Sequence, residues 1–195
     1  MPPKKTSATL SAEDLTQGIL ASFDSEFQSA SDRSFAVLAA AYMDSILEQL
    51  LRKAFVSDSQ ATELLLGTTG PIGSNGARYN LAYSLGLIAG PERDDLKTIA
   101  RIRNHFAHSY TATTFAADSH VRDLVQQMHF AKRREAIRQE LVSNERIPDT
   151  PAKADARTIF RDSIIEFMVT LLPRVRDVRQ ANPSVWYAKQ AGVDA

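Results

Sequence analysis

Apolar residues recur at three- and four-residue spacing along most of this chain, which is the pattern of amphipathic helices. The clearest stretch begins near Ser31 or Asp32 and continues to Ala54. Its apolar positions are Phe35, Leu38, Ala39, Tyr42, Met43, Ile46, Leu47, Leu50, Leu51 and Ala54. Because this stripe is the widest in the chain, we predict that this helix is central and is the most buried element.

Narrower stripes of the same period predict further helices on either side of the central one. Their predicted bounds, in chain order, are from Ser11 onward, Ala77 to Ile88, Pro91 to His108, Asp118 or Ser119 to Val142, and from Lys153 onward, with a short turn at Glu63–Leu66. Pro173 should kink or end the last helix, because proline removes a helical hydrogen bond. Since no stretch alternates as a strand would, we predict an all-α fold, a bundle of about six helices.

Polar and glycine-rich stretches separate and flank these helices. Residues 1–10, rich in Pro, Lys, Ser and Thr, are predicted to be a disordered leader. Residues 11–180 are predicted to form a single helical domain, followed by a tail, 181–195, that contains Trp186 and Tyr187. The segment 67–76 holds four of the eight glycines but lacks the Lys-Ser/Thr ending of a phosphate-binding loop. We interpret it as a tight turn that lets helices pack closely.

Acidic and basic residues are balanced, with 23 of each. A chain without net positive charge lacks the overall attraction for nucleic acid that basic proteins have, so we expect no direct binding to duplex DNA. The run Lys132-Arg133-Arg134, with Arg138 after it, is interpreted as a solvated helix face, because acidic residues such as Glu135 dilute its charge.

The absence of cysteine excludes disulfides, thiolate catalysis and cysteine-ligated zinc. The histidines at 105, 108, 120 and 129 form no i, i+4 pair, so the sequence predicts neither a metal site nor a cofactor. The basic N-terminus is not followed by an apolar stretch, and no segment approaches about 18 consecutive apolar residues. These observations predict a soluble cytoplasmic protein with no signal peptide and no membrane contact.

The segment Arg101–His108 has an unusual density of titratable groups at the end of a predicted amphipathic helix. Arginine suits phosphate, and histidine is the side chain that titrates nearest neutral pH. In a ribonuclease-like site, Arg103 would hold the scissile phosphate, His108 would move a proton, and Asn104 would orient one of them. Positions five apart on a regular helix lie about 140° apart, so the pair meets only where the helix ends or distorts.

A structural interpretation of the same segment stays open. Arg103 would pair with an acidic residue such as Asp44, and His108 would bond to the carbonyl groups of the last helical turn. The spacing of the residues alone favours this structural role over the catalytic one.

Several motifs of the chain resemble the mannitol operon repressor (MltR/MtlR) family. They are residues 35–51, 64–67, 70–74 (Gly-Pro-Ile-Gly-Ser), 79–88, and 95–96 with 99–108. They agree in order and rough spacing over about 31–128, which we take as the family-like core, with 129–180 as added helices. The resemblance implies an all-α fold and a transcription-regulator role without a recognisable DNA-binding motif.

Arg103, Asn104 and His108 also resemble the motif of HEPN ribonucleases, in which an arginine precedes a histidine by several residues. That resemblance implies a helical bundle, often dimeric, in which the two motifs face one cleft. It also implies metal-independent RNA cleavage of the kind found in toxin–antitoxin and phage-defence systems.

Our leading interpretation is an MltR-like helical regulator that acts through protein partners, and the alternative is a HEPN-type endoribonuclease with an RNA substrate. We also predict a homodimer, because several helices carry surplus apolar residues and the tail carries Trp186 and Tyr187.

Overall fold

The computed structural model describes residues 12–110, 113–144, 146 and 155–181. Within them the chain forms eight α-helices and no strand. The helices are α1 Ala12–Ser29, α2 Asp32–Ala54, α3 Ser59–Leu66, α4 Asn75–Ser84, α5 Gly90–His108, α6 Ser119–Gln127, α7 His129–Ser143 and α8 Ala156–Asp177. The predicted all-α class is confirmed, although the bundle has eight described helices rather than about six.

The predicted central helix is α2. It packs against α4, α5 and α8, and residues such as Phe35, Leu47 and Leu51 are fully buried. Ser31 caps its first turn by accepting a hydrogen bond from the backbone N–H of Ser34 at 3.2 Å. The apolar stripe therefore faces α5 and α8, as a core helix requires.

By length and composition, α2 is also apolar enough to cross a membrane, and it is the one such helix among the described residues. Half of that apolar stretch is buried inside the bundle. A core helix of a soluble protein passes the same test, so its hydropathy is accounted for by packing.

The helix predicted from Ala77 to Ile88 is shorter than expected, because α4 ends at Ser84. Gly86 adopts a positive φ of 71°, a conformation that only glycine enters without strain. The N–H of Leu87 then bonds back to the carbonyl of Ala82 at 2.9 Å. This closing turn satisfies a carbonyl at the end of α4 and directs the chain into α5.

The prediction of a single helix from Asp118 or Ser119 to Val142 is wrong. The chain forms two helices there, α6 and α7, which are separated at Met128. Met128 has a non-helical ψ of 137°. Asp95 of α5, only 1% exposed, accepts hydrogen bonds from the backbone N–H groups of His129 at 2.7 Å and Phe130 at 3.0 Å. In a continuous helix these N–H groups would bond to carbonyl groups of α6. Because they bond to the buried Asp95 carboxylate instead, α6 ends and a new helix begins.

The glycine-rich segment forms a tight turn between α3 and α4. The N–H of Ile72 bonds to the carbonyl of Leu65 at 2.9 Å, and a Cβ atom at Gly70 would collide with that same carbonyl. Arg78, the most buried cation among the described residues, donates to the carbonyls of Leu66 at 2.9 Å and Ile72 at 3.2 Å.

The guanidinium of Arg78 also forms ion pairs with two carboxylates of α2, Asp44 at 2.6 Å and Glu48 at 2.9 Å. One arginine thus binds the turn to the central helix through both carbonyls and carboxylates.

Pro173 does not end the last helix, since α8 continues to Asp177. Asp155 caps α8 by accepting from the N–H of Thr158 at 2.9 Å. The predicted start at Lys153 lies outside the described residues, as do the 1–10 leader, Trp186 and Tyr187.

Candidate functional site

The segment singled out by the sequence forms the last two turns of α5. Ile102 and Phe106 are fully buried, and the ring of Phe106 lies 4.9 Å from that of Phe115. These two anchors turn Arg101, Asn104 and His108 to the surface, whereas Arg103 and His105 are half-buried. Ala107, next to the buried Phe106, is exposed as well. The polar residues are therefore presented on a rigid helix rather than on a loop.

Two of the three predicted catalytic residues touch each other. Arg103 donates from Nη1 to Oδ1 of Asn104 at 2.9 Å. The helix remains regular through His108, and extended backbone begins at Ser109. Helical geometry consequently places Arg103 and His108 about 140° apart around the axis. Their catalytic role stays a prediction. Asp44, suggested as a partner of Arg103 under the structural interpretation, pairs instead with Arg78.

A histidine–aspartate pair, which the sequence did not reveal, lies beside this segment. His105 Nε2 is 2.7 Å from Oδ2 of Asp118, and the His120 ring lies 5.3 Å from that of His105. Asp118 also accepts from the backbone N–H of Val121 at 3.1 Å, so it caps α6.

Partial burial of Asp118 opposes its ionisation, but the hydrogen bonds from His105 and Val121 outweigh burial and hold the pKa of this carboxyl below its usual value. The pair joins α5 to α6 and keeps a carboxylate against an imidazole. Among the described residues, no group of three or more histidine, aspartate or glutamate side chains is arranged to hold a metal ion.

A groove on another face runs between α6, α7 and α8 and has a volume of about 940 Å³. Its walls carry Arg122 from α6, the cations Lys132, Arg134 and Arg138 from α7, and Asp155 before α8. The basic run of α7, interpreted from sequence as a solvated face, therefore borders a concave surface. The sequence could not show this, because the walls come from three helices.

A family model described as "Mannitol repressor" matches residues 24–171. The match includes α2 to α7 and most of α8, and thus both the α5 segment and the groove. None of the curated proteins compared with the chain matches it significantly.

Two solved structures share the fold. The MtlR chain of the MtlR–HPr complex from Escherichia coli superposes with a TM-score of 0.59 at 19% identity, covering 82% of this chain and 99% of that one. A possible transcriptional regulator, YggD, from Shigella flexneri 2a str. 2457T gives a TM-score of 0.57 at 18% identity, covering 86% and 98%. The family match extends over most of the sequence, and the resemblance seen in the sequence is confirmed: this chain belongs to the mannitol repressor family.

Proposed function

We propose that this chain is a cytoplasmic regulatory protein that controls transcription through contacts with a protein partner. The observation that carries the proposal is the family match over residues 24–171, which spans nearly the whole described bundle. The E. coli member of the same fold was solved as a complex with HPr, and 99% of that chain is covered here. A protein partner of this kind is therefore the first candidate.

The surface charges favour a protein partner over duplex DNA. Lysine and arginine equal aspartate and glutamate over the whole chain. Several arginines of the described helices are neutralised locally, as in the pairs Arg134–Asp162 at 2.5 Å and Arg174–Glu92 at 2.7 Å. DNA-binding surfaces instead gather unneutralised cations that replace the counterions of the phosphates.

Calorimetric titration of the full chain with HPr from the same cells tests the proposal. We expect saturable binding at micromolar concentrations and no retardation of duplex DNA by nanomolar protein at physiological salt. A sequence-specific gel shift by the protein alone would contradict the proposal that it acts through a protein partner. The absence of any binding heat with HPr would exclude HPr as that partner.

A HEPN-type endoribonuclease is the second candidate, because Asn104 and His108 are exposed and Asn104 contacts Arg103. If it cleaves RNA, the reaction should continue in EDTA, and His108→Ala should abolish it while leaving the helical circular dichroism unchanged. Total RNA that remains intact with the purified wild type, with or without HPr, would exclude this candidate.

We also propose a homodimer. The apolar side chains of Leu64 and Leu85 are 70% and 50% exposed, and a second copy that covered them would remove this apolar surface from water. Light scattering at tens of micromolar protein should give twice the mass of 21.5 kDa. A monomer mass at that concentration would contradict the dimer.

A further inference from the structure

The groove between α6, α7 and α8 exists because α7 packs only shallowly. Phe130 is the one buried residue of α7 among those described, Ala131 packs partly against the core, and most of the remaining helix is exposed. Ion pairs from Arg133 to Glu166 and from Arg134 to Asp162 fasten α7 alongside α8. These pairs link α7 to α8 along one side of the groove.

Its floor is apolar and its rim is basic. Small and apolar side chains line the interior, including Ala131, Ala136 and Ile159. Four cations surround them, Arg122, Lys132, Arg134 and Arg138, against two acids, Glu135 and Asp155.

Both acids of the groove are already engaged. Glu135 accepts from Arg138 at 3.2 Å, and Asp155 accepts from the N–H and the hydroxyl of Thr158 at 2.9 and 3.0 Å. Lys132, in contrast, has no carboxylate within ion-pair distance in the described part of the chain. Arg134 is paired with Asp162 and Arg138 with Glu135, whereas Arg122 donates to the carbonyl of Ala116, so the positive charge that the rim offers a partner lies at Lys132 and Arg122.

The chemistry of the groove favours a peptide over nucleic acid. Single-stranded nucleic acid is held by exposed aromatic rings that stack on bases, but Phe115, the one aromatic residue of the described lining, is 1% exposed. A phosphate would seek the N–H groups at the start of α8, but Asp155 already occupies that position. An apolar floor with a basic rim instead matches aliphatic side chains flanked by carboxylates.

We propose that this groove docks an acidic amphipathic helical segment of a protein partner, with aliphatic side chains against Ala136 and Ile159 and carboxylates against Lys132 and Arg122. A volume of about 940 Å³ accommodates one row of such side chains. This inference rests on the proposed function, since it specifies the chemistry of a partner for a protein that acts through protein contacts.

The absence of cysteine makes a site-specific reporter straightforward. Ala136→Cys places a single thiol in the groove, and Ile137→Cys places one on the adjacent residue of α7, which is 51% exposed and does not line the groove. Each full-length variant is labelled with an environment-sensitive fluorophore. The probe is an 18-residue helical peptide of glutamate and leucine; the same peptide with lysine for glutamate and an oligouridine serve as comparisons.

We expect the Glu/Leu peptide to change the fluorescence of the Ala136→Cys label saturably and that of the Ile137→Cys label little. Lys132→Glu in the labelled protein should weaken this binding about tenfold, whereas Lys97→Glu on α5 should leave it unchanged. Ala136→Trp in the unlabelled chain should prevent binding by filling the groove, measured by anisotropy of labelled peptide. Circular dichroism melting confirms that each variant is folded.

Absence of a saturable response to the Glu/Leu peptide overturns the inference, as does equal binding of the Lys/Leu peptide or of oligouridine. Equal affinities for Lys132→Glu and wild type overturn it as well. The titration with HPr reports independently on the proposed function. If the wild type binds HPr but not the Glu/Leu peptide, the proposed function stands and the proposed role of the groove does not.

Discussion

The helices α2 and α7 show two ways in which a helix is held in this bundle. Nine residues of α2 are buried, in a stripe that its own sequence displays. In α7 only Phe130 is buried among the described residues, and polar groups of α5 and α8 determine where the helix begins and lies. Apolar pattern thus positions the core, whereas individual charged residues position the helix that borders the groove.

The largest difference between the two helices should appear on truncating an apolar side chain. Leu50→Ala in α2 should lower the free energy of unfolding by roughly 2–5 kcal/mol, because Leu50 is 1% exposed and its removal leaves a cavity. Ile137→Ala in α7 should change it by less than about 0.5 kcal/mol, since Ile137 is 51% exposed. Urea unfolding followed by circular dichroism measures both. Similar costs for the two would show that α7 is not peripheral.

Removing a polar connection to α2 should cost nearly as much as removing its packing. Arg78→Met leaves Asp44 without its cation, Glu48 with only one of its two cations and two carbonyls without their donor, so we expect a loss of about 3 kcal/mol. The control is Arg52→Met, which also removes a partner of Glu48 but from a side chain that is 35% exposed, and should cost less than about 1 kcal/mol. Equal losses in urea unfolding would contradict a special role for the buried arginine.

The same contrast between a local apolar pattern and distant polar contacts decides how much of the fold could be predicted from the sequence. The start of α2 at Ser31–Asp32 and its end at Ala54 could be predicted because the apolar stripe and the cap are local signals. The break at Met128 could not, since the residues on both sides form helices and the deciding carboxylate, Asp95, lies 34 residues before His129. One signal was available: Asp95 falls on the buried stripe of α5, in register with Ile99 and Ile102, where a carboxylate must find donors.

In the candidate site, too, some features could be predicted from local sequence and others depend on how the helices pack. Residue type alone identified Arg103, Asn104 and His108 as candidate site residues. The pairing of His105 with Asp118 depends on how α5 meets α6, which no local pattern records. The groove has the same origin, because three helices contribute its walls.

A moderate effect is expected at the start of α7. Asp95→Ala leaves the N–H groups of His129 and Phe130 unsatisfied in a buried place, which should cost about 1–3 kcal/mol. Hydrogen exchange should accelerate first in the opening turn of α7, while α2 stays protected. Asp94→Ala, at a neighbouring carboxylate whose side chain is 45% exposed, should have little effect on either measurement. Unchanged exchange in α7 would contradict the capping role.

The smallest effect concerns pH. Burial raises the pKa of Asp95 above its ordinary value, although the N–H groups of His129 and Phe130 partly oppose the rise. Because the folded state holds this proton more tightly than the unfolded state, the extra stability that comes from the protonated form of Asp95 is complete below about pH 4 and is lost as the pH rises through the raised pKa. The stability of the wild type relative to Asp95→Asn should fall over that interval and then level off. A relative stability that rises with pH would contradict the assignment.

The single extended residue Met128 separates the groove-lining side of α7 from the helix before it. The first two residues of α7, His129 and Phe130, bond to Asp95, whereas its later residues Arg133 and Arg134 hold it only through ion pairs with α8. Inserting one residue after Phe130 would rotate the rest of the helix by about 100° and present a different set of side chains to the groove. A change of length at this one joint would therefore change which side chains of α7 border the groove, while the helices that pack around α2 keep their own contacts.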